Sequence, residues 1–536
     1  MLGYGDLSDG VVPRPGGGPS NHDPNRETTN AWSAPNMKSD IHLTPETEPI
    51  EVVTDLDGTA TRPGATGPAA TPRLSPSEVL AISILVFSAF VALLSELVMG
   101  VALPQVMEDL GITATTGQWL TTGYALTLAV VIPTTGYIMQ RFQLRSIFIA
   151  SVGLFSLGTA IAAVAPGFEL LLTGRIVQAL GTAVLVPLLL TTSIGLVAPP
   201  RRGQMMALVT AVTAVAPAVG PAFSGLVMSQ LSWRWLFIII LPLTLLALVI
   251  GAVKMPNLTT PRRIRFDALS LLLSAIGFGA LVYGLASAGE SGGGHLSAVF
   301  WIAIPLGIVG IAAFVWRQLR LQRRDAAVLD MRIFGRAAFA RPVILFAFLV
   351  MGAFSLSTLI PLMLQESLGL GSLETGLLMV PGGATIAIVS VLVGRYYDRI
   401  GARELAIPGA LVVAAGWWYM TTFTEDTSMW IVLATYVLIC AGQAFAWVAI
   451  FTMSLGSLPS ALAPHGSAAL NTIQQLGGAA GLAVLIGVFS ANTGGTDATS
   501  IANGAQAAFT VGAVIAVVAF VIALFLPRHT PSTGEH

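Results

Sequence analysis

From residue 78 to residue 526 the chain is a succession of apolar runs, each roughly 20 residues long, separated by short polar breaks. No other feature narrows the fold as far. A helix of that length crosses the hydrocarbon core of a bilayer, and runs this long lack the period-two alternation of barrel strands. We read fourteen spans, at about 79–104, 115–138, 145–165, 169–197, 204–229, 235–254, 267–288, 298–317, 342–364, 373–394, 404–423, 429–457, 465–491 and 504–526. Composition points the same way: 54% of residues are hydrophobic and 10% charged, against about 25% charged in soluble domains. The mean hydropathy is +0.79. The expected class is an all-α integral membrane protein.

The first 75 residues are different. "GGGPSNHDPNRETTNAWSAPNMKSD" and "TGPAATPRLSPSE" are rich in Pro, Gly, Ser, Thr and acids, and such segments bury too little surface to offset their ordering entropy. Residues 1–76 are read as a disordered tail with no cleavable signal peptide, and 528–536 as a second short tail. A net charge of −1 gives no reason to expect a nucleic-acid partner. The lone cysteine, Cys440, excludes a disulfide framework or cysteine metal site. His22, His42, His295, His465, His529 and His536 are scattered, and no metal spacing, nucleophile motif or phosphate loop appears. The sequence is therefore not read as an enzyme, and no metal or cofactor is expected.

Basic residues orient the spans. With the tail inside, the inner loops hold Arg141, Arg145, Arg201, Arg202, Lys254, Arg262, Arg317, Arg324, Arg336, Arg395, Arg399 and Arg403 among others, while the outer loops hold Arg234 alone. The outer loops carry acids such as Glu108, Asp109, Glu169, Glu425 and Asp426. This bias places both termini in the cytoplasm, and one helix more or fewer midway would scramble it.

The chain also repeats itself. "GYIMQRFQLR" (136–145) and "GRYYDRIGAR" (394–403) share glycine, arginine and spacing, each in an inner loop after an even-numbered span. "RRGQMMALVTAVTAVAPAVGPAFSG" (201–225) is echoed by "PHGSAALNTIQQLGGAAG" (464–481). Internal repetition is a transporter signature, with the substrate site at mid-membrane between the halves. Spans 7 and 8 have no counterpart, which gives six plus two plus six: bundles at 77–256 and 326–527, with the two extra helices and their linkers at 257–325.

These residues resemble the major facilitator superfamily, and more closely its fourteen-helix drug:proton antiporter family. "LSELVMGVALP" is similar to that family's first-helix motif, "LTGRIVQALGTA" (172–183) to its fourth-helix motif, and "APAVGPAFSG" (216–225) to the antiporter motif of the fifth helix. "SWRWLFIIILP" and "FDALSLLLSAIGFGALVYGLA" resemble features particular to the fourteen-helix branch, and "NTIQQLGGAAG" resembles a motif near the family's end. Two positions depart from the pattern. Gln140 stands where the superfamily loop carries an aspartate, with Asp398 retained in the second copy, and Ser95 precedes the acid, Glu96, as in the lincomycin-exporter-like branch. The resemblance implies the major facilitator fold, two pseudo-symmetric halves, and proton-coupled efflux of amphipathic drug-like compounds by alternating access at the plasma membrane. A proton gradient would supply the energy, with no cofactor, and a monomer would suffice.

Away from their ends, the spans hold a single acid, Glu96, and a single base, Arg175. A charge at the centre of a lipid-spanning helix costs roughly 3 kcal/mol, and those that persist are usually functional. Glu96 lies ~12 Å and Arg175 ~9 Å below the outer ends of their helices at 1.5 Å per residue, so they share a depth. The resemblance implies that both helices line one cavity. Glu96 and Arg175 are then the proton-coupling pair; a structural ion pair that fixes helix packing is the other reading. Pro217, Gly220, Pro221 and Gly225 form the antiporter motif, with tight packing alone as the plainer reading of the glycines. Gly136, Arg141, Arg145, Gly394, Arg395, Asp398 and Arg399 are candidate gating residues, or simple anchors. Trp119, Tyr124, Gln178, Trp447, Asn471 and Gln474 are candidates for the substrate cavity, though Trp119 also suits a membrane-interface anchor. Export of an endogenous metabolite or lipid precursor, and a non-transporting sensor with the tail as output, are the alternative functions.

Overall fold

The computed structural model describes residues 75–527, apart from 199–200, 258–260, 262–266, 291–297, 325, 367–369, 371 and 494–497. The two expected tails lie outside the described residues, save Ser75 and Pro76. The described secondary structure is helical. It comprises α1 (Pro76–Leu110), α2 (Ala114–Val131), α3 (Thr135–Arg141), α4 (Leu144–Ala163), α5 (Phe168–Leu196), α6 (Arg202–Met228) and α7 (Arg234–Lys254). There follow α8 (Ala268–Glu290), α9 (Ala298–Leu321), α10 (Ala337–Glu366), α11 (Ser372–Ile400), α12 (Ala402–Met420), α13 (Met429–Gly456), α14 (Ala463–Asn492) and α15 (Ala498–Leu524). Pro133 lacks the N–H that would continue α2, so α2 passes through a 3-10 turn at Ile132–Thr134 into α3 and the two form one rod.

Twelve of the described helices are long and apolar enough to cross a membrane. Outside that group are α6, where the side chains of Pro217 and Pro221 are not among those described, and α12, which opens on Arg403 and Glu404. The chain is a multi-pass membrane protein.

Local sequence sets the ends of the rods. Ser75 and Glu78 form a reciprocal capping box at the start of α1, with Pro76 at the first turn. The helix stops at Gly111, whose φ of 60° lies in the left-handed region that glycine enters without a Cβ penalty. Helices also run further than the apolar runs. Glu108 and Asp109 lie on the last turn of α1, Gly136–Arg141 on α3, and Gly394–Ile400 on the end of α11, so most of the expected loop motifs are helical. Arginines in a last turn face the negative end of the helix dipole, which favours this extension past the hydrocarbon.

Lipid gives no hydrophobic force between helices, so their contact depends on close approach at small residues. A Cβ on Gly174 of α5 would stand 2.8 Å from the Ala162 backbone nitrogen of α4, and one on Gly307 of α9 would stand 2.7 Å from that of Leu281 on α8. Such neighbours are backbone and cannot give way. Helices α1–α7 pack among themselves, as do α10–α15, while α9 pairs with α8 and α8 lies against α2 and α14. The two groups meet along α6–α11 and where α3 and α5 reach α14. Leu246, Val253, Ile302 and Val309 on α7 and α9 are exposed, forming an apolar outer surface. The alternation of the rods gathers Arg141, Arg145, Arg202, Lys254, Arg320, Arg395 and Arg403 at one end of the array, called the basic end below.

Candidate functional site

Arg175, Gln178 and Thr182 recur at i, i+3 and i+7 on α5 and so share one stripe; all are buried. Gly158 and Gly174 let α4 and α5 approach at this level, which brings Thr159 of α4 into reach. Gln178 Nε2 donates to Thr159 Oγ1 at 2.8 Å and to Ser95 Oγ of α1 at 2.9 Å, and its Oε1 accepts from Arg175 Nη1 at 2.7 Å. Tyr124 of α2 donates to Thr182 Oγ1 at 2.7 Å. Its ring lies 4.1 Å beneath the guanidinium carbon, a cation–π contact. The guanidinium also donates to the backbone carbonyls of Ser95 (3.2 Å) and Glu96 (3.5 Å). Arg175 thus ties four helices into one hydrogen-bonded block. Its Nε–H alone finds no acceptor among the described residues.

Glu96 is placed differently. It is half-buried, close enough to Arg175 for electrostatic interaction and beside Gln475 on α14, in the opposite group of helices. Among the described residues the guanidinium's hydrogen-bond acceptors are main-chain carbonyls and Gln178, not the Glu96 carboxylate. The two charges share a pocket without a direct ion pair: the arginine is locked within α1, α2, α4 and α5, and the acid sits on the seam. The α6 motif braces this point. A Cβ on Gly220 would come 3.2 Å from Leu97 Cβ, and Ser224 Oγ donates to the Val98 carbonyl at 3.2 Å. Gly225 is half-buried one turn beyond Gly220. Pro217 and Pro221 lie on the same helix, their side chains outside the described set.

The candidate cavity residues separate. Tyr124 and Gln178 belong to the Arg175 block, where Gln178 spends its whole amide on protein partners. Trp119 is 37% exposed and its ring centroid lies 5.5 Å from that of Tyr283 on α8, which puts it on the extra hairpin rather than in the pocket. Trp447 packs edge-on against Phe346 of α10, and its indole N–H has no acceptor among the described residues. Asn471 donates to the Ser467 carbonyl of its own helix at 3.0 Å. Gln474 is half-buried, next to Gln475.

At the basic end the two groups close on each other. Gly136 and Gln140 of α3 meet His465 of α14, and Gln140 Nε2 also donates to the Ala461 carbonyl at 3.4 Å. Gly394 of α11 presses on Ala207 and the Gly203 carbonyl of α6. Arg141 lies over the Phe142 ring, and Arg145 donates to the Ala252 carbonyl within its own group. Arg395 and Arg399 are exposed, and the Asp398 side chain lies outside the described residues. Arg395 also closes an apolar crevice of about 790 Å³ between α1, α6 and α11, which contains neither Glu96 nor Arg175 and is distinct from the site.

Sequence reasoning missed Gln475, Ser95, Thr159 and Thr182. Ser95 was visible only as the displaced acid position, and the others have no signal beyond being polar in an apolar run. Among the described residues no cluster of three His, Cys, Asp or Glu could hold a metal.

A multi-helix membrane protein built of two packed groups of helices, with an acid at their seam beside an arginine buried in one of them, has the form of a membrane transporter. The Major Facilitator Superfamily model matches residues 85–265 and 250–482, and the chain belongs to that family. It is 36% identical to the lincomycin resistance protein LmrB of Listeria monocytogenes over 85% of this chain and 98% of that protein. It is 35% identical to LmrB of Bacillus subtilis, over 83% and 95%. A multidrug resistance protein B homolog of Mycobacterium tuberculosis is 30% identical, over 77% of this chain and 76% of its own length. The fold matches the human organic anion transporter MFSD10 with a TM-score of 0.59 at 15% identity, covering 84% of this chain and all of that one. It also matches the proton:xylose symporter XylE, at 0.58 and 14% identity, over 85% and 97%.

Proposed function

We propose that the protein exports amphipathic, drug-like compounds across the plasma membrane in exchange for protons, by alternating access between its two halves. The observation that carries this reading is the position of Glu96: a carboxyl on the seam between the halves, beside a locked arginine and facing Gln475. A carboxyl in such a place responds both to a proton and to a polar group of the cargo. Binding of either changes the affinity for the other, which is ordinary linkage. Arg175 and its block supply a fixed positive field; Gln475 reports the acid's state to the opposite half. Trp447, with a spare indole donor, and the apolar side chains around it suit an aromatic or cationic cargo.

Relatives named for lincomycin and multidrug resistance support a drug-like cargo. The positive-inside rule supports a cytoplasmic basic end, with both termini on that side and fourteen crossings. Gly220, pressed on Leu97, would transmit motion of α6 to the acid, while Gly136 and Gly394 close the basic end. The chain would act as a monomer with no cofactor. The test is reconstitution into liposomes with an imposed pH gradient, screened against cationic and neutral compounds. Uphill, gradient-dependent accumulation is expected, and Glu96→Gln should abolish it while leaving cargo binding. Undiminished uphill export by that variant would reject the reading.

A further inference from the structure

His465 is one of the few buried titratable side chains that this mechanism leaves unused. It is the third residue of α14, 4% exposed, at the basic end of the seam. Gln140 of α3 holds its Nε2 from the other half. An amide NH₂ only donates, so Nε2 accepts and the ring proton is on Nδ1. Nδ1 makes no well-formed hydrogen bond among the described residues, although the Val328 main chain lies beside the ring. Gly136 fits closely against the same edge: a Cβ there would stand 2.6 Å from Nδ1.

Val328 is itself held by the extra hairpin. Gln318, buried on α9, accepts from the backbone nitrogens of Val328 (2.8 Å) and Leu329 (3.3 Å) and donates to Ser270 of α8 at 2.7 Å. A continuous path therefore runs from α8 and α9 through residues 328–330 to His465, and from there to α3 across the seam. The charged groups facing the ring are Asp330 and Arg332, both on this linker. They are engaged with each other at 2.6 Å. α3 presents Gln140 and Gly136, while Leu455 of α13, Leu458 just past its end and Phe339 of α10 pack on the neighbouring Gly466, none of them charged.

We propose that His465 is the centre of a latch through which the α8–α9 hairpin holds the basic end closed, and that a proton taken up by its imidazole from that side releases it. Protonation puts a hydrogen on Nε2, where it confronts the Gln140 NH₂ donor. Gln140 must then turn or withdraw, and its bond to the Ala461 carbonyl goes with it. Asp330 faces the ring as a partial counter-charge that lets it take up the proton, but Arg332 holds the carboxylate, so it does not replace the Gln140 bond across the seam. The hairpin, which has no counterpart in the repeat, thus gains a role as the anchor of one gate.

The inference rests on the alternating-access reading, and its test is read without cargo or gradient, so the two can fail separately. Ser467, buried at the seam and 2.6 Å from Thr191 of α5, is the reporter site. In a Cys440→Ala background, which removes the chain's single cysteine, Ser467→Cys is labelled with a membrane-impermeant maleimide in inverted vesicles. On lowering the pH from 8 to 6, after correction for thiolate fraction on a denatured control, labelling should rise several-fold. With His465→Gln that rise should vanish, and Gln318→Ala should raise labelling about tenfold at pH 8, the effect of losing one hydrogen-bonded anchor of roughly 1.4 kcal/mol. Gln318→Ala leaves His465 in place, so it decides the matter should the histidine variant fail to fold. Labelling that is flat with pH in the parent, or indifferent to both substitutions, would overturn the latch.

Discussion

Arg175 grips the main chain of Glu96, not its carboxylate: Nη2 lies 3.5 Å from the Glu96 carbonyl, and Nη1 lies 3.2 Å from that of Ser95. The arginine therefore fixes where the acid's helix stands while leaving the acid's own oxygens to other partners. Under the proposed exchange, this division of labour would let one buried cation be structural and still matter to the acid. It also separates the effects expected from changing each residue.

Arg175→Ala should lower the thermal midpoint in detergent by several degrees as well as abolishing export. It strands buried acceptors on Ser95 and Gln178, each worth about 1–3 kcal/mol when left unpaired. Arg175→Lys keeps the charge but not the fork, and should show an intermediate midpoint with export below a tenth of the parent. Glu96→Gln, by contrast, should keep its midpoint. An Arg175→Ala variant as stable as the parent would show that the block does not hold α1.

Gln475→Ala should cut gradient-driven export by roughly tenfold or more, since Gln475 closing on the ionised acid would form a hydrogen bond to a charged group, worth about 1.5–3 kcal/mol. Gln474→Ala, one residue away and turned about 100° around the helix, should stay within about twofold. Comparing the two by vesicle transport at equal expression tests whether contact with Glu96, rather than polarity in α14, is what counts.

Gly394→Ala should bias the protein away from closure of the basic end. The added methyl would meet Ala207 Cβ and stand 2.9 Å from the Gly203 carbonyl across the seam, and such overpacking costs about 1–3 kcal/mol. That is enough to shift a two-state balance by about 5- to 150-fold. Spin labels at Arg145 and Arg403 should report longer separations in the variant. Gly153→Ala, where a Cβ meets nothing within 4 Å, is the control and should leave the distances unchanged.

The hydropathy of the chain exposed the rods, their order and their basic and acidic ends, because lipid demands long apolar helices whatever their neighbours. Glu96 and Arg175 were legible for the same reason: each is an exception to that demand. What could not be read was partner choice. Gln475 differs from Gln474 only by its angle around α14, and which helices meet across the seam is set by close contacts between residues far apart in sequence, such as Gly394 with Ala207 and Gly136 with His465. His465 looked like an end-of-helix residue until α3 and the 328–330 linker were seen to cover it. Arginine marks the edge of hydrocarbon and so points to a turn at each loop motif, whereas α3 and α11 continue past that edge as helix.

The foot of the α8–α9 hairpin offers a pH test outside the spans. Arg317 of α9 reaches Asp267 with two hydrogen bonds, at 2.6 and 2.8 Å, and Ser270 donates to the same carboxylate. The Arg317 hydrogen bonds hold the Asp267 carboxyl below its ordinary range, against a smaller opposing effect of burial. For an acid whose folded-state value is depressed, the stability contributed is complete above the unfolded value, near 3.9. It is lost as pH falls below that toward the folded-state value. The pair is partly exposed at the end of the hairpin, so its worth is about 1 kcal/mol. Asp267→Asn should therefore melt slightly below the parent from pH 8 to pH 5, and the gap should close as pH falls through about 4 to 3. Melting curves of both proteins across that range, in one detergent and at fixed ionic strength, check the sign: a gap that widens on acidification would mean that Asp267 is not the group that anchors Arg317.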